Sequence, residues 1–179
     1  VAPLAAAIAT EERIMAMKSM DELFYGLLQD VYYAEKQLVR ALPKMAKNSS
    51  NAELQEAITH HLEETKRHVE RLERAFAMID KKARARKCDA MLGIIAEGEE
   101  LMEEVKEHDV LDAGLLAAAQ AAEHYEIARY GTLCAWAKQM GQQRIASLLH
   151  ETLEEEKKAD ELLTQIAKKA VNQAAMHAA

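Results

Sequence analysis

HLEETKRHVERL, residues 61–72, reads as helix throughout, and its charges decide what the helix is for. Leu62, Val69 and Leu72 mark a face that packs inward. His61, Glu64 and His68 crowd that face or its edge. An unpaired carboxylate in a core costs on the order of several kcal/mol or gives up its charge. The stretch therefore describes either a helix edge that reaches water or a buried site that needs a counter-charge.

The neighbouring helices repeat the puzzle. Ser19 and Glu22 form an S-x-x-E capping box that opens a helix over about residues 20–47, with Pro43 expected to kink its end. KNSSN (47–51) breaks the pattern, and Ser50 with Glu53 makes a second capping box for a helix over about 51–80. The basic connector DKKARARK (80–87) leads to a shorter helix over about 88–107. Two more long helices follow over about 109–140, closed by Gly141, and about 142–170. Residues 1–17 read as a helix-prone extension, 18–172 as the folded unit, and 173–179 as a frayed tail. No alternating β-branched run or hairpin turn signals a strand. Four long helices with a long second-to-third connection carrying an extra helix predict an all-α, ferritin-like four-helix bundle, with the first two and last two helices paired antiparallel.

Each long helix carries a glutamate near its middle on or beside the inward stripe. The first shows Phe24, Leu28, Val31, Glu35, Leu38, Leu42 and Met45, spaced by four and three. The third shows Leu115, Ala119, Ala122, Glu126, Tyr130, Leu133 and Ala137. The fourth shows Leu148, Thr152, Glu155, Ala159, Leu162 and Ile166. In the second, Glu64 lies between His61 and His68. Any one of these could sit at a stripe edge, since Glu is rarely buried unpaired. Four together make sense if a multivalent cation lies between them.

An internal repeat points the same way. LEETK (62–66) recurs as LEEEK (153–157), and a shift of 91 residues carries Glu64 to Glu155 and Glu35 to Glu126. Two helical hairpins of one design would build a carboxylate-bridged dinuclear centre, with Glu64 and Glu155 as bridges and Glu35 and Glu126 as terminal ligands. Oxygen-rich ligand sets suit iron and manganese, with iron ahead of manganese here. The usual pattern adds Glu-x-x-His on two helices. This chain has Arg67 three residues after Glu64 and Lys158 three after Glu155. His61, His68 and Glu123 are the further candidate ligands. His61 and His68 stand seven residues apart, about 10 Å along a helix axis, so one of them is expected to orient a ligand instead. The tyrosines Tyr25, Tyr32, Tyr33, Tyr125 and Tyr130 flank these positions, where a phenol could hold a ligand by hydrogen bond.

The composition excludes other classes. The net charge of −7 disfavours nucleic acid and anionic membrane as partners. No apolar run reaches the roughly 20 residues of a membrane span. The N-terminal VAPLAAAIAT is apolar without a visible basic region before it, as a processed leader or the start of an extra helix would be. Cys88 and Cys134 suggest neither a disulfide framework nor a zinc site, and imply a reducing, cytoplasmic location. There is no phosphate loop, nucleophile elbow or zinc-protease helix motif.

AEKQLVRAL (34–42), HLEET (61–65), AAAQAAEHYEIARYGTL (117–133) and TLEEEKKADELL (152–163) together resemble the YciF-like (YciE/YciF) stress proteins of the ferritin-like superfamily, over about residues 18–172. The resemblance implies a bacterial protein of osmotic or general stress, often a homodimer, with a dinuclear metal site whose reaction is not settled. Two functions follow as expectations. One is a metalloprotein, possible as an oxidoreductase, that reacts with O₂ or peroxide or handles metal ions. The other is a metal-free helical stress protein that binds a partner.

Overall fold

The computed structural model describes residues 17–178, so the expectation for the N-terminal extension lies outside the described residues except at its last position. Among the described residues there is no strand. Four long helices, α1 (Met20–Asn48), α2 (Ala52–Met78), α4 (His108–Gln139) and α5 (Gln143–Ile166), form the bundle; α3 (Asp89–Glu104) sits in the connection between its halves. The hairpins α1/α2 and α4/α5 pack closely within themselves, α2 lies against α5 and α1 against α4. Helix α3 covers α4 and touches α1. This is the ferritin-like arrangement the helix lengths predict. No helix among the described residues is long and apolar enough to cross a membrane.

Local chemistry sets the ends. The Ser19 hydroxyl accepts from the Glu22 amide at 3.2 Å, as the capping box predicts. The second start differs. Asn51, not Ser50, caps α2, accepting from the Leu54 amide at 3.0 Å. The Ser50 hydroxyl is engaged elsewhere, donating to the Asp112 carboxylate at 2.6 Å. Asp112 is buried and also accepts from the Ser49 hydroxyl and from the Ser50 and Asn51 amides, so one carboxylate from α4 ties down the α1–α2 turn. Helix α1 runs through Pro43 to Asn48. Gly141 follows α4 with φ of +72°, the left-handed backbone that glycine adopts most readily. At the other end the expected fraying gives way to more helix: a π-type turn, Ala167–Val171, carries α5 into α6 (Asn172–His177). Val171 is buried there, and that apolar contact holds the last turns against α4.

The core has three layers along the bundle axis. One apolar layer gathers Phe24, Leu28, Leu72, Phe76, Leu133 and Leu149. The other gathers Leu38, Leu42, Leu54, Ile58, Leu115 and Leu163. Between them every long helix turns polar on its inner face. Glu35, His61, Thr65, His68, Glu123, Glu126, Thr152 and Glu156 are all buried in that middle stretch.

Candidate metal centre

Each helix delivers its part of the middle layer by spacing. Glu35 follows Val31 by four residues and precedes Leu38 by three, so it cannot leave the core stripe. The same holds for Glu126 between Ala122 and Tyr130, and for Glu156 after Leu149 and Leu153. His61, Thr65 and His68 lie along one face of α2 in steps of four and three.

Two ligand sets result. His61, Glu123, Glu126 and Glu156 each offer one atom within 4.8 Å of the others, and so do Glu35, His68 and Glu156. Glu156 belongs to both. Its Oε1 lies 3.0 Å from His68 Nδ1 and its Oε2 lies 3.8 Å from His61 Nε2. His61 Nε2 also lies 3.2 Å from Glu123 Oε1, and His68 Nδ1 lies 3.4 Å from Glu35 Oε1. Both imidazoles, each a candidate ligand from the sequence, therefore face the centre, with ring centroids 6.2 Å apart. Tyr130 donates its hydroxyl to Glu35 Oε1, the one phenol to hold a member of the sets.

The two carboxylates expected as bridges lie elsewhere. Glu155 is half-buried at the edge, gripped by Arg71 through both its Nη atoms and by His68 Nε2 at 2.8 Å. Glu64 is half-buried too, outside both sets, with His60 Nε2 at 3.4 Å, Arg67 Nη2 at 3.7 Å and His61 Nδ1 at 3.8 Å. Sequence reasoning missed Glu156. The 91-residue shift also carries Thr65 to Glu156, and anchoring on His68 would have shown it. His68 faces inward, and the residue three before it, Thr65, holds the place of Glu in a Glu-x-x-His pair.

The charge balance of the layer is unfavourable as it stands. Four buried carboxylates meet at most two imidazolium charges. Burial pushes the carboxyls of Glu123 and Glu126 well above the usual range, and the neighbouring carboxylates add to it. Glu35 is raised mainly by burial, against the pull of His68. Burial also works against Glu156, but His68 and His61 outweigh it and bring that carboxyl down. For His68 burial opposes the charge, and Glu35 and Glu156 overcome it, lifting the imidazole to about 11. Glu155, hydrogen-bonded by Arg71, drops to about 2.

Hydrogen bonding is unfavourable too. Glu35 Oε2, Glu123 Oε2, both oxygens of Glu126 and of Glu156, and Nδ1 of both His61 and His68 are buried without an aligned hydrogen bond, the 3.0 Å approach of His68 Nδ1 to Glu156 Oε1 included. Buried polar atoms in folded proteins are nearly always satisfied. A cluster of lone pairs converging from four helices fits divalent cations bound by carboxylate and imidazole, so the residues present suit a dinuclear centre.

The fold and this acidic, histidine-containing layer define a ferritin-like helical protein. The chain belongs to the family described as "Domain of unknown function (DUF892)", which matches residues 19–176. It is 48% identical to protein YciF of Escherichia coli (strain K12) over 162 residues, covering 90% of this chain and 98% of that one. The crystal structure of the E. coli stress protein YciF superposes with a TM-score of 0.82 at 47% identity, covering 87% of this chain and 99% of that chain. YcfI of Rhodopseudomonas palustris superposes with a TM-score of 0.83 at 43% identity, covering 84% and 96%. A protein of Xanthomonas campestris pv. campestris shares the fold, with a TM-score of 0.70 at 23% identity over 88% of this chain and 97% of that one.

Proposed function

We propose that the middle layer is a dinuclear metal centre, iron ahead of manganese, in a stress protein that reacts with O₂ or peroxide or handles the metal itself. The observation that carries this reading is the set of orphaned lone pairs, six of them carboxylate oxygens, in a layer with no other source of positive charge than two imidazoles. His61, Glu123 and Glu126 would hold one ion, Glu35 and His68 the other, and Glu156 would serve both. When bound, such a pair supplies electrons and Lewis acidity for reducing O₂ or peroxide. Tyr130 fixes Glu35 by hydrogen bond, and Thr65 is itself anchored to the His61 carbonyl at 2.8 Å. Glu155, itself held by Arg71, orients His68 from outside by bonding its Nε2, which leaves Nδ1 for the centre. The apolar layers above and below close it off along the bundle axis.

Metal analysis of protein purified without chelator and reloaded anaerobically with Fe(II) or Mn(II) tests the reading. About two ions per chain, lost in Glu126→Ala, are expected for a two-metal site. A folded protein that stays metal-free in both cases overturns it and favours the partner-binding alternative. We also propose that two chains associate, as the family resemblance implies. Sedimentation showing only the 20.0 kDa species at micromolar concentration would refute that.

A further inference from the structure

A pocket of about 170 Å³ opens between α2 and α5 and ends on the metal layer. His60, Glu64 and Lys158 stand in it toward solvent, and His61 and Glu123 stand at its inner end. The side chain of His60 is 67% exposed, that of Glu64 15% and that of His61 8%, so the three form a graded series from water to the core. Glu64 Oε1 lies 3.4 Å from His60 Nε2, and its Oε2 lies 3.8 Å from His61 Nδ1. That nitrogen is buried and has no hydrogen-bond partner, while the opposite nitrogen of the same ring faces Glu123 at 3.2 Å. One imidazole thus presents an unsatisfied atom to the pocket and its other nitrogen to the ligand set.

A second cavity, of about 20 Å³, also reaches His61 and Glu123, from between α1, α3 and α4. Its walls are mainly apolar, with Leu38, Ile94, Ile95 and Met102 among them. Glu99, the carboxylate toward its mouth, is already paired with Lys44 at 2.8 Å.

We propose that divalent cations reach the centre through the α2/α5 pocket, pausing on Glu64 with His60 and Nδ1 of His61 before passing His61 to Glu123. The inference rests on the metal reading above. It also gives Glu64 a role that its position outside both ligand sets leaves open. Arg67, whose Nη2 lies 3.7 Å from Glu64 Oε1, and Lys158 at the mouth are charges of the wrong sign, so both should retard the same step.

Rapid mixing of the full chain with Co(II), followed by its visible absorption, reads the loading rate. Metal analysis after desalting reads the final stoichiometry. Glu64→Gln should slow loading roughly tenfold, the lower end of the range for losing a charge that concentrates ions at a site. Ala159→Phe, which fills the pocket wall, should slow it as well, and Lys158→Gln should speed it. Ile95→Phe, in the apolar cavity, should leave the rate unchanged. All four should reach the parent's final stoichiometry, and apo melting curves identify any variant that fails to fold. Parent-like rates in both Glu64→Gln and a folded Ala159→Phe overturn the route while leaving the metal reading intact. A lowered final stoichiometry in Glu64→Gln makes Glu64 a resident ligand and overturns its transit role. Absence of metal in the parent overturns the metal reading, and the route with it.

Discussion

The middle layer and the two apolar layers that flank it are built on the same four helices and are buried to the same degree, yet they obey opposite rules. In the layer around Phe24, Leu72 and Phe76, each side chain gains from being out of water, and Tyr25 and Tyr32 add edge-on contacts to Phe76 with centroids 5.8 and 5.6 Å away. In the middle, Glu126 is as buried as Phe76 and gains nothing from it, since both its oxygens lack partners. The apolar layers hold the fold, and they hold the middle layer in a state that it would not adopt alone. The polar groups of this molecule's core are placed where burial is unfavourable, and the cost is met by neighbours on either side.

The difference can be broken by substitution. The largest effect belongs to the apolar layer. Phe76→Ala should cost about 3–5 kcal/mol, the range for truncating a fully buried aromatic ring. Chemical denaturation of apo and metal-loaded protein should give the same loss in both, because Phe76 does not touch the centre. A loss confined to the loaded form would erase the distinction between the layers.

Metal itself is the next largest. At a free concentration about 100 times its dissociation constant, a ligand of the folded state adds about 2.7 kcal/mol. Melting curves with and without Fe(II) or Mn(II) should show that rise in the parent and none in Glu126→Ala. A rise of equal size in the variant would detach the stabilisation from this layer.

Replacing Glu126 by Met in the apo protein should do the reverse of Phe76→Ala and stabilise, by roughly 1–2 kcal/mol at neutral pH, since exchanging a buried carboxyl without hydrogen-bond partners for an apolar side chain of similar size removes a desolvation cost. The sign with pH follows from the raised carboxyl. Folded Glu126 holds its proton above the ordinary value of 4.5, so the parent loses stability as pH rises beyond it. The advantage of Glu126→Met should therefore be small near pH 4.5 and grow toward pH 7. A variant less stable than the parent throughout would mean the carboxyl is well accommodated without metal.

How far this was readable beforehand differs between the layers too. The apolar layers follow from spacing alone, and so do Glu35 and Glu126, each trapped between apolar neighbours three and four residues away. Helix α5 is where spacing misleads. LEEEK offers consecutive glutamates, and one residue is about 100° of helix rotation. Ala159 and Leu162 drew the stripe through Glu155, but Leu162 is 41% exposed, and the buried line runs through Leu149, Leu153 and Glu156 to Leu163. The repeat reinforced the slip, because its visible part, LEE, sets Glu64 on Glu155, both outside the ligand sets, whereas the inward pair Thr65 and Glu156 has no likeness to show. The α2 cap was missed for a different reason. Asp112, over 60 residues away, claims the Ser50 hydroxyl, and no local rule carries that.

The smallest expected effect lies at the border between the layers and water, on the pair made by Glu155, which sequence reading placed inside, and Arg71. Arg71 grips Glu155 while about a fifth of the Glu155 side chain stays exposed. Solvent screens such a pair, so Arg71→Gln should cost no more than about 1 kcal/mol at neutral pH. The carboxyl of Glu155 is lowered to about 2 from an ordinary value of 4.5. Its contribution is therefore fully present above pH 4.5 and is lost as pH falls toward 2, where the carboxyl is protonated in folded and unfolded chains alike. The gap between parent and Arg71→Gln melting temperatures should be steady from pH 7 to 5 and close below that. His68 Nε2 still reaches Glu155 in the variant, so some of the depression survives and the closure starts at a higher pH than in the parent. A gap that stays constant down to pH 3 would show that Arg71 acts through packing of its stem and not through the carboxylate. Glu155 would then hold His68 Nε2 without help from Arg71.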